Sequence, residues 1–314
     1  MIEVIRYTSD KKAEWDEFVG KAKNGTFLFY RIYMEYHADR FEDYSLLLYD
    51  KGKLKSIFPA NRVDSTIHSH QGLTFGGILT LYETDSLKYI DYFNHYNKFL
   101  HDSGIHNVIY KTVPQIYKGH FGDEELYAMY RIQAINIATN LSSCIDLHKD
   151  MPISRLRKRS YKKSINAGIT TQSSDNLEKF WGIMVKNMHL KHNTKPVHSC
   201  EEMRLLKSRF PKNIKLLEAS YNNKMVAGAI LYHFNDVLKI QYAHASPEGK
   251  KNGAIDNIYN FIINNYTGRF IDFGTSNLDD GNYINEGLLR QKEGFGARAV
   301  VFKTYQYKTE KSIK

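Results

Sequence analysis

Ile214-Lys215-Leu216-Leu217-Glu218-Ala219-Ser220 runs as an apolar-rich strand, turns at Asn222-Asn223-Lys224, and returns as Met225 to Tyr232. Asparagine tolerates the left-handed backbone of a tight turn, so this stretch reads as a β-hairpin. The same plan stands about 172 residues earlier. There Tyr44-Ser45-Leu46-Leu47-Leu48-Tyr49 turns at Asp50-Lys51-Gly52-Lys53 into Leu54-Lys55-Ser56-Ile57-Phe58-Pro59. Helical spacing precedes each hairpin: Lys11 to Lys23 and Tyr30 to Arg40 before the first, Ile153 to Ala167, Asn176 to Leu190 and Cys200 to Arg209 before the second. The separation is far beyond a solenoid period, which predicts a duplicated α/β domain.

Outward from the hairpins, the first half continues with a strand at Leu73 to Leu81, a helix at Asp85 to Ser103, a strand at Asn107 to Thr112, a helix at Asp123 to Arg131 and a strand at Ala134 to Leu147. The second continues with a strand at Val237 to Ala243, a polar turn, a helix at Ala254 to Tyr266 and a strand at Phe270 to Phe273. A helix at Asn285 to Gln291 and a last strand at Ala297 to Tyr307 complete it. The apolar pattern lapses at His148-Lys149-Asp150-Met151-Pro152, so domains of 1–150 and 151–314 are expected, the last strand packing back towards the first. Composition agrees with two globular units: 314 residues, 42% hydrophobic and 25% charged, with 20 glycines and 6 prolines. That excludes disordered, collagen-like and mucin-like chains. No run reaches the ~18 apolar residues of a membrane span. Met1 to Tyr7 reads as a strand and not as a signal peptide. The two cysteines, Cys144 and Cys200, have no pairing or zinc pattern, and the expected compartment is the cytoplasm.

Lys and Arg total 44 against 34 acids, a net charge of +10, which favours anionic partners. Arg155, Arg157, Lys158, Arg159, Lys162 and Lys163 place six cations within nine residues with no acid among them. Tyr161 is the one aromatic there, so the stretch suits phosphate contact and not base stacking. His68 and His70 lie on one side of an extended segment but lack a third ligand at a telling distance, so no metal is expected. G-x-S-x-G, G-K-[ST] and G-x-G-x-x-G are all missing. Ala245-Ser246-Pro247-Glu248-Gly249-Lys250-Lys251-Asn252-Gly253-Ala254 joins a strand to a helix through a glycine-containing turn. A helix N-terminus there holds phosphate through free N–H groups and its dipole, with Lys250 and Lys251 adding charge.

The order helix, helix, hairpin, strand, polar turn, helix, strand, helix, Gly-Phe, strand resembles the GNAT superfamily of N-acyltransferases. Lys292-Glu293-Gly294-Phe295 is similar to that family's closing Lys-x-Gly-Phe element, with Asn285 opening the same helix. Arg159-Ser160-Tyr161-Lys162-Lys163-Ser164-Ile165-Asn166-Ala167-Gly168-Ile169 resembles the basic helix of the tandem-GNAT, Fem-like group. Ser69 to Gly77 and His192 to His198 are similar to the polysaccharide-associated branch. The resemblance implies two tandem GNAT-like domains, each a mixed central sheet flanked by helices. It implies transfer of an acyl group, acetyl from acetyl-CoA, to the amine of an amino sugar or nucleotide-linked sugar in surface-polysaccharide or cell-wall biosynthesis. A Fem-like aminoacyl-tRNA-dependent transferase and a non-catalytic phosphosugar-binding protein are the alternatives, with tRNA a possible partner and DNA none. Arg290 stands where many members carry a tyrosine acid, and Lys250-Lys251-Asn252-Gly253-Ala254 is a degenerate form of their donor loop.

By resemblance Lys292 stabilises the oxyanion of the transfer. Asp272, Asp279, Asp280 and Glu286 are candidate bases, Glu286 first because its neighbour Asn285 sits at a family position. Lys250, Lys251, Gly253 and Ala254 are the donor-binding candidates. Gly76, Gly77, Arg159, Lys162, Asn193 and Lys195 are the acceptor-binding candidates.

Overall fold

The computed structural model describes residues 1–192 and 196–313. Two compact units emerge, each assembled from separate stretches of chain. The first holds Met1–Leu141, Asn277–Tyr283 and Val301–Lys314; the second holds Ser142–Ser276 and Ile284–Val300. The boundary expected at residue 150 falls instead at Leu141–Ser142, inside the strand Ile135–Asp146. The cause is pairing: Asp146, Ile145 and Cys144 lie antiparallel to Phe270, Ile271 and Asp272.

In the first unit the strands Ile2–Arg6, Leu46–Asp50, Lys53–Phe58 and Leu79–Thr80 form an antiparallel sheet in that order. A second set comprises Asn61–Val63, Thr66–His68, Asn107–Lys111 and the end of the last strand, Thr304 to Lys308. The helix Ser86–Asp102, begun by Asp85 accepting from the Lys88 N–H, buries Phe93, Tyr96 and Leu100 against Phe58, Val108 and Tyr110. Leu73 to Leu81 is strand only at Leu79–Thr80, with an isolated bridge from Leu81 to Ala22; Leu73 to Ile78 is irregular backbone. Tyr30 to Arg40 is a helix of four residues, Arg31–Met34, followed by a single 3-10 turn.

In the second unit Thr170–Ser174, Ile214–Tyr221, Lys224–His233 and Val237–Ala245 form an antiparallel meander. Phe270–Thr275 then pairs parallel to Val237–Ala245, as a crossover through the helix Ala254–Asn265 requires. Alternation sets the layers. Ala227, Ala229 and Leu231 pack under Ile258 of that helix. Tyr232 faces the other way, its hydroxyl reaching Met203 of the helix Cys200–Arg209. That helix opens on a full capping box from Ser199 and Glu202.

Candidate functional site

The strand Val237–Ala245 is irregular on both edges. Towards Lys224–His233 the register shifts between Ile230 and Leu231, paired with Tyr242 and Ile240, so Gln241 is the extra residue of a β-bulge. Towards Phe270–Thr275 only Val237, Leu238 and Lys239 pair, with Phe270, Ile271 and Asp272. Beyond those three pairs the strands diverge, and a fork opens towards their C-terminal ends. Leu238 and Ile240 belong to the core under the helix Ala254–Asn265, as do Ile271 and Phe273. Lys239 and Asp272 therefore occupy the opposite sheet face.

A charge network sits at this vertex. Asp272 is 0% exposed and accepts from the Ser142 hydroxyl and, at 2.8 Å, from the Gly274 N–H. Lys239 Nζ lies 3.5 Å from Asp272 Oδ2. Lys292 Nζ donates to the carbonyls of Gly274 and Thr275, both at 2.7 Å. Lys292 is 5% exposed, and burial lowers its pKa to about 8; Asp272 opposes that shift and Lys239 adds to it. Two of the three ammonium donors are committed, and one remains. Two buried polar atoms here, Gln241 Oε1 and Ser276 Oγ, have no hydrogen-bond partner among the described residues.

Local sequence explains why Lys292 arrives there. Asn285 Oδ1 accepts from the Leu288 N–H at 3.0 Å and starts the helix Glu286–Glu293. Phe295 stacks on Phe273 at 5.9 Å and meets Tyr259 edge-on at 5.2 Å, which fixes the helix end on the sheet. Glu286 is not carried to the same place. Six residues are about 240° around a helix, so Glu286 and Lys292 occupy different faces. Glu286 instead makes an exposed ion pair with Arg290 at 2.8 Å. The carboxylate brought to the fork is Asp272. Asp279 and Asp280 are exposed and belong to the other unit.

At the open end of the fork Ser246 caps the short helix Pro247–Lys251, and Gly253 starts Ala254–Asn265 with φ 73° and no side-chain cap. A Cβ on Gly253 would lie 2.6 Å from the Ser160 carbonyl oxygen, so the basic helix Arg155–Asn166 packs directly on this turn. Arg157 is engaged internally, 2.9 Å from Asp256 and over the Phe295 ring. Arg155, Lys158, Arg159, Lys162 and Lys163 are exposed, leaving their charge beside the turn. Lys251 is exposed, and Lys250 Nζ donates to Asn187 Oδ1 at 2.6 Å. Ala254 is buried at the start of the helix, where it offers a main-chain N–H.

Gly76 and Gly77 lie buried in the first unit. A Cβ on Gly76 would meet the Ser69 carbonyl at 1.9 Å, and one on Gly77, at φ +97°, the Tyr110 hydroxyl at 2.7 Å. Asn193 and Lys195 fall outside the described residues. No group of three or more His, Cys, Asp or Glu that could hold a metal occurs among the described residues. Burial raises the thiol pKa of both Cys144 and Cys200, so neither is activated. Among the described residues no helix is long and apolar enough to cross a membrane.

Lys239, Ser142 and Gln241 escape a sequence reading of the site. The one available signal is a lysine inside the apolar run Val237-Leu238-Lys239-Ile240. A buried cation in a strand calls for a partner.

No family model matches the sequence, and no curated protein matches it either. Solved structures do match. The chain is similar to FemX at TM-score 0.68 and 11% identity, over 96% of each chain. It is also similar to the C-terminal domain of a putative lysylphosphatidylglycerol synthetase from Agrobacterium fabrum, at TM-score 0.60 and 10% identity, over 95% of this chain and 92% of that one. A tandem GNAT protein from the clavulanic acid biosynthesis pathway matches at TM-score 0.51 and 8% identity, over 99% of this chain and 100% of that one. The chain has the mixed α/β, tandem GNAT-like fold of the Fem type.

Proposed function

We propose that the chain is an N-acyltransferase in which an acceptor amine attacks an acyl carbonyl placed in the fork between Val237–Ala245 and Phe270–Thr275. The observation that carries this reading is the Lys292 ammonium, fixed by two main-chain carbonyls beside the buried Lys239–Asp272 pair. The structures named FemX, lysylphosphatidylglycerol synthetase and tandem GNAT protein support it through their shared fold. A neutral amine attacks the carbonyl carbon; the C–N bond forms and charge moves to the oxygen. The remaining Lys292 donor meets that oxyanion. Collapse breaks the C–S bond of the thioester, and the leaving thiolate takes up the proton that the amine loses.

The donor in this reading is acetyl-CoA, its phosphates meeting the uncapped Gly253 turn, Ala254 and the charges of Lys250 and Lys251. The acceptor is an amino sugar or its nucleotide-linked form, with Arg159 and Lys162 available to its phosphates and the product directed to surface polysaccharide or cell wall. The five exposed cations beside the donor turn favour a second reading, an aminoacyl-tRNA ester donor, since polyanion binding gains from counterion release.

Labelled acetyl-CoA with a panel of nucleotide-linked amino sugars tests the first reading, wild type against Lys292→Met. Label transfer that the variant loses supports it. A melting temperature raised by deacylated tRNA in a salt-sensitive way, and untouched by acetyl-CoA, selects the second. No response to either donor overturns acyl transfer in favour of a phosphosugar-binding protein.

A further inference from the structure

A cavity of the C-terminal unit takes no part in that chemistry. It holds about 500 Å³ and lies where the C-terminal half of the helix Ala254–Asn265 meets the sheet. Helix rise places it about 15 Å along the axis from the Gly253 turn. Leu238 lines it, whereas Lys239, the next residue, faces the other side of the sheet. The cavity and the charge network are thus on opposite faces.

Its floor is aliphatic, formed by Leu217, Leu231, Leu238 and Ile262. Water held there would forgo hydrogen bonds, and the volume is that of a small-molecule site. The rim is polar and net positive. Lys207 is matched by an ion pair to Asp175, but Lys215 forms no ion pair among the described residues. His233 lies edge-on to Tyr266 at 6.1 Å, and both line the rim. Burial, then Lys215, holds the imidazole below its ordinary pKa, so at neutral pH it is an uncharged hydrogen-bonding group. The Tyr266 ring closes one side of the rim, its hydroxyl turned onto Gly268.

We propose that this cavity is a binding site for a monocarboxylate with an apolar body, its carboxylate on Lys215 and His233 and its body on the leucine floor. Two rim cations, Lys207 and Lys215, against the one carboxylate of Asp175, with a neutral imidazole beside them, suit a single negative charge. A phosphate would bring a second charge that no group there matches.

The test is calorimetric titration of the full chain with decanoate, 2-naphthoate, decan-1-ol and acetate. The carboxylates with apolar bodies bind, and the alcohol and acetate bind at least about tenfold more weakly, since each lacks one half of the recognition. Lys215→Glu, an exposed substitution, weakens decanoate at least about tenfold with the melting temperature of the free protein retained. Decanoate also moves the NMR resonances of the His233 ring, and Ser173→Trp, which crowds the rim, abolishes that movement. Decanoate against 2-naphthoate separates an aliphatic from an aromatic body. Equal binding of decanol and decanoate, an unchanged affinity in Lys215→Glu, or a His233 signal that decanoate leaves still overturns the proposal.

Discussion

Each unit contains a short parallel strand pair from which a fork could open, and the two are finished differently. In the C-terminal unit Val237–Lys239 pairs with Phe270–Asp272 and the strands then part. In the N-terminal unit Thr66, Ile67 and His68 pair with Asn107, Val108 and Ile109, again for three residues. There the space beyond is filled. Ser69 Oγ accepts from the Lys111 N–H at 2.7 Å, and Gly76 lies against the Ser69 carbonyl. Lys111 Nζ donates to the carbonyls of Gln71 and Leu73 at 3.2 and 3.0 Å, the same two-carbonyl anchoring that Lys292 shows. Burial lowers both lysines to about pKa 8. The difference is the filler: the irregular segment from Ser69 to Ile78 occupies one fork, whereas no such segment follows Asp272. One lysine staples that filler in place, and the other stands beside a buried charge pair.

Lys292→Met is the substitution expected to separate the two forks most. It lowers the transfer rate by about 10²–10³-fold, the usual cost of losing one oxyanion donor, with donor binding nearly intact. Single-turnover kinetics beside a melting curve would show it. The counterpart Lys111→Met keeps turnover within about twofold and costs roughly 1 kcal/mol of stability, because the Gln71 and Leu73 carbonyls lose their donor. If Lys111→Met abolishes transfer with the fold intact, the comparison fails.

Asp272→Asn comes next. It removes a buried negative charge beside Lys239 and destabilises the protein by about 3–5 kcal/mol in denaturant titration. The pH profile sharpens the same contrast. Lys292 has a folded pKa lowered to about 8 from 10.5, so the ammonium is present below that value and lost as pH rises through it. The rate falls above about pH 8, and Lys292→Arg moves that limb upward, since guanidinium stays charged. The stability contribution has the opposite slope: between about pH 8 and 10.5 the unfolded chain binds the proton that the folded one has released, so stability rises with pH there.

Gly253→Ala is smaller. The added Cβ meets the Ser160 carbonyl at a backbone that L-residues avoid, costing about 1–3 kcal/mol and weakening the donor. Smallest is Glu286→Gln, less than about twofold in rate and within about 0.5 kcal/mol in stability, because it removes only an exposed ion pair with Arg290. A large effect there would restore Glu286 as the base.

The hairpins, the long helices and the closing Lys-Glu-Gly-Phe were legible because period and turn chemistry are local. The strand Thr170–Ser174 was not, since Thr-Thr-Gln-Ser-Ser at a sheet edge carries no apolar alternation. Leu73 to Leu81 reads as a strand by its apolar residues, but most of them pack irregularly into the filled fork. Lys292 and Asp272 were both visible as candidates. Their companions were not, because Ser142 meets Asp272 across 130 positions and only strand order joins them. Glu286 was misplaced for a local reason: its spacing from Lys292 already put it on another helical face.

The division of the chain into units has a consequence for how it is made. Val301–Lys314 belongs to the unit that begins at Met1. Within that unit Tyr307 donates to Asn97 Oδ1 at 3.2 Å, Thr309 donates to the Ile105 carbonyl at 2.6 Å, and Ile313 is bound to Asn94. During vectorial synthesis the half translated first thus waits, with part of its core uncovered, until Val301 to Ile313 has been made. The C-terminal unit ends at Val300, so the half translated second is fully synthesised first.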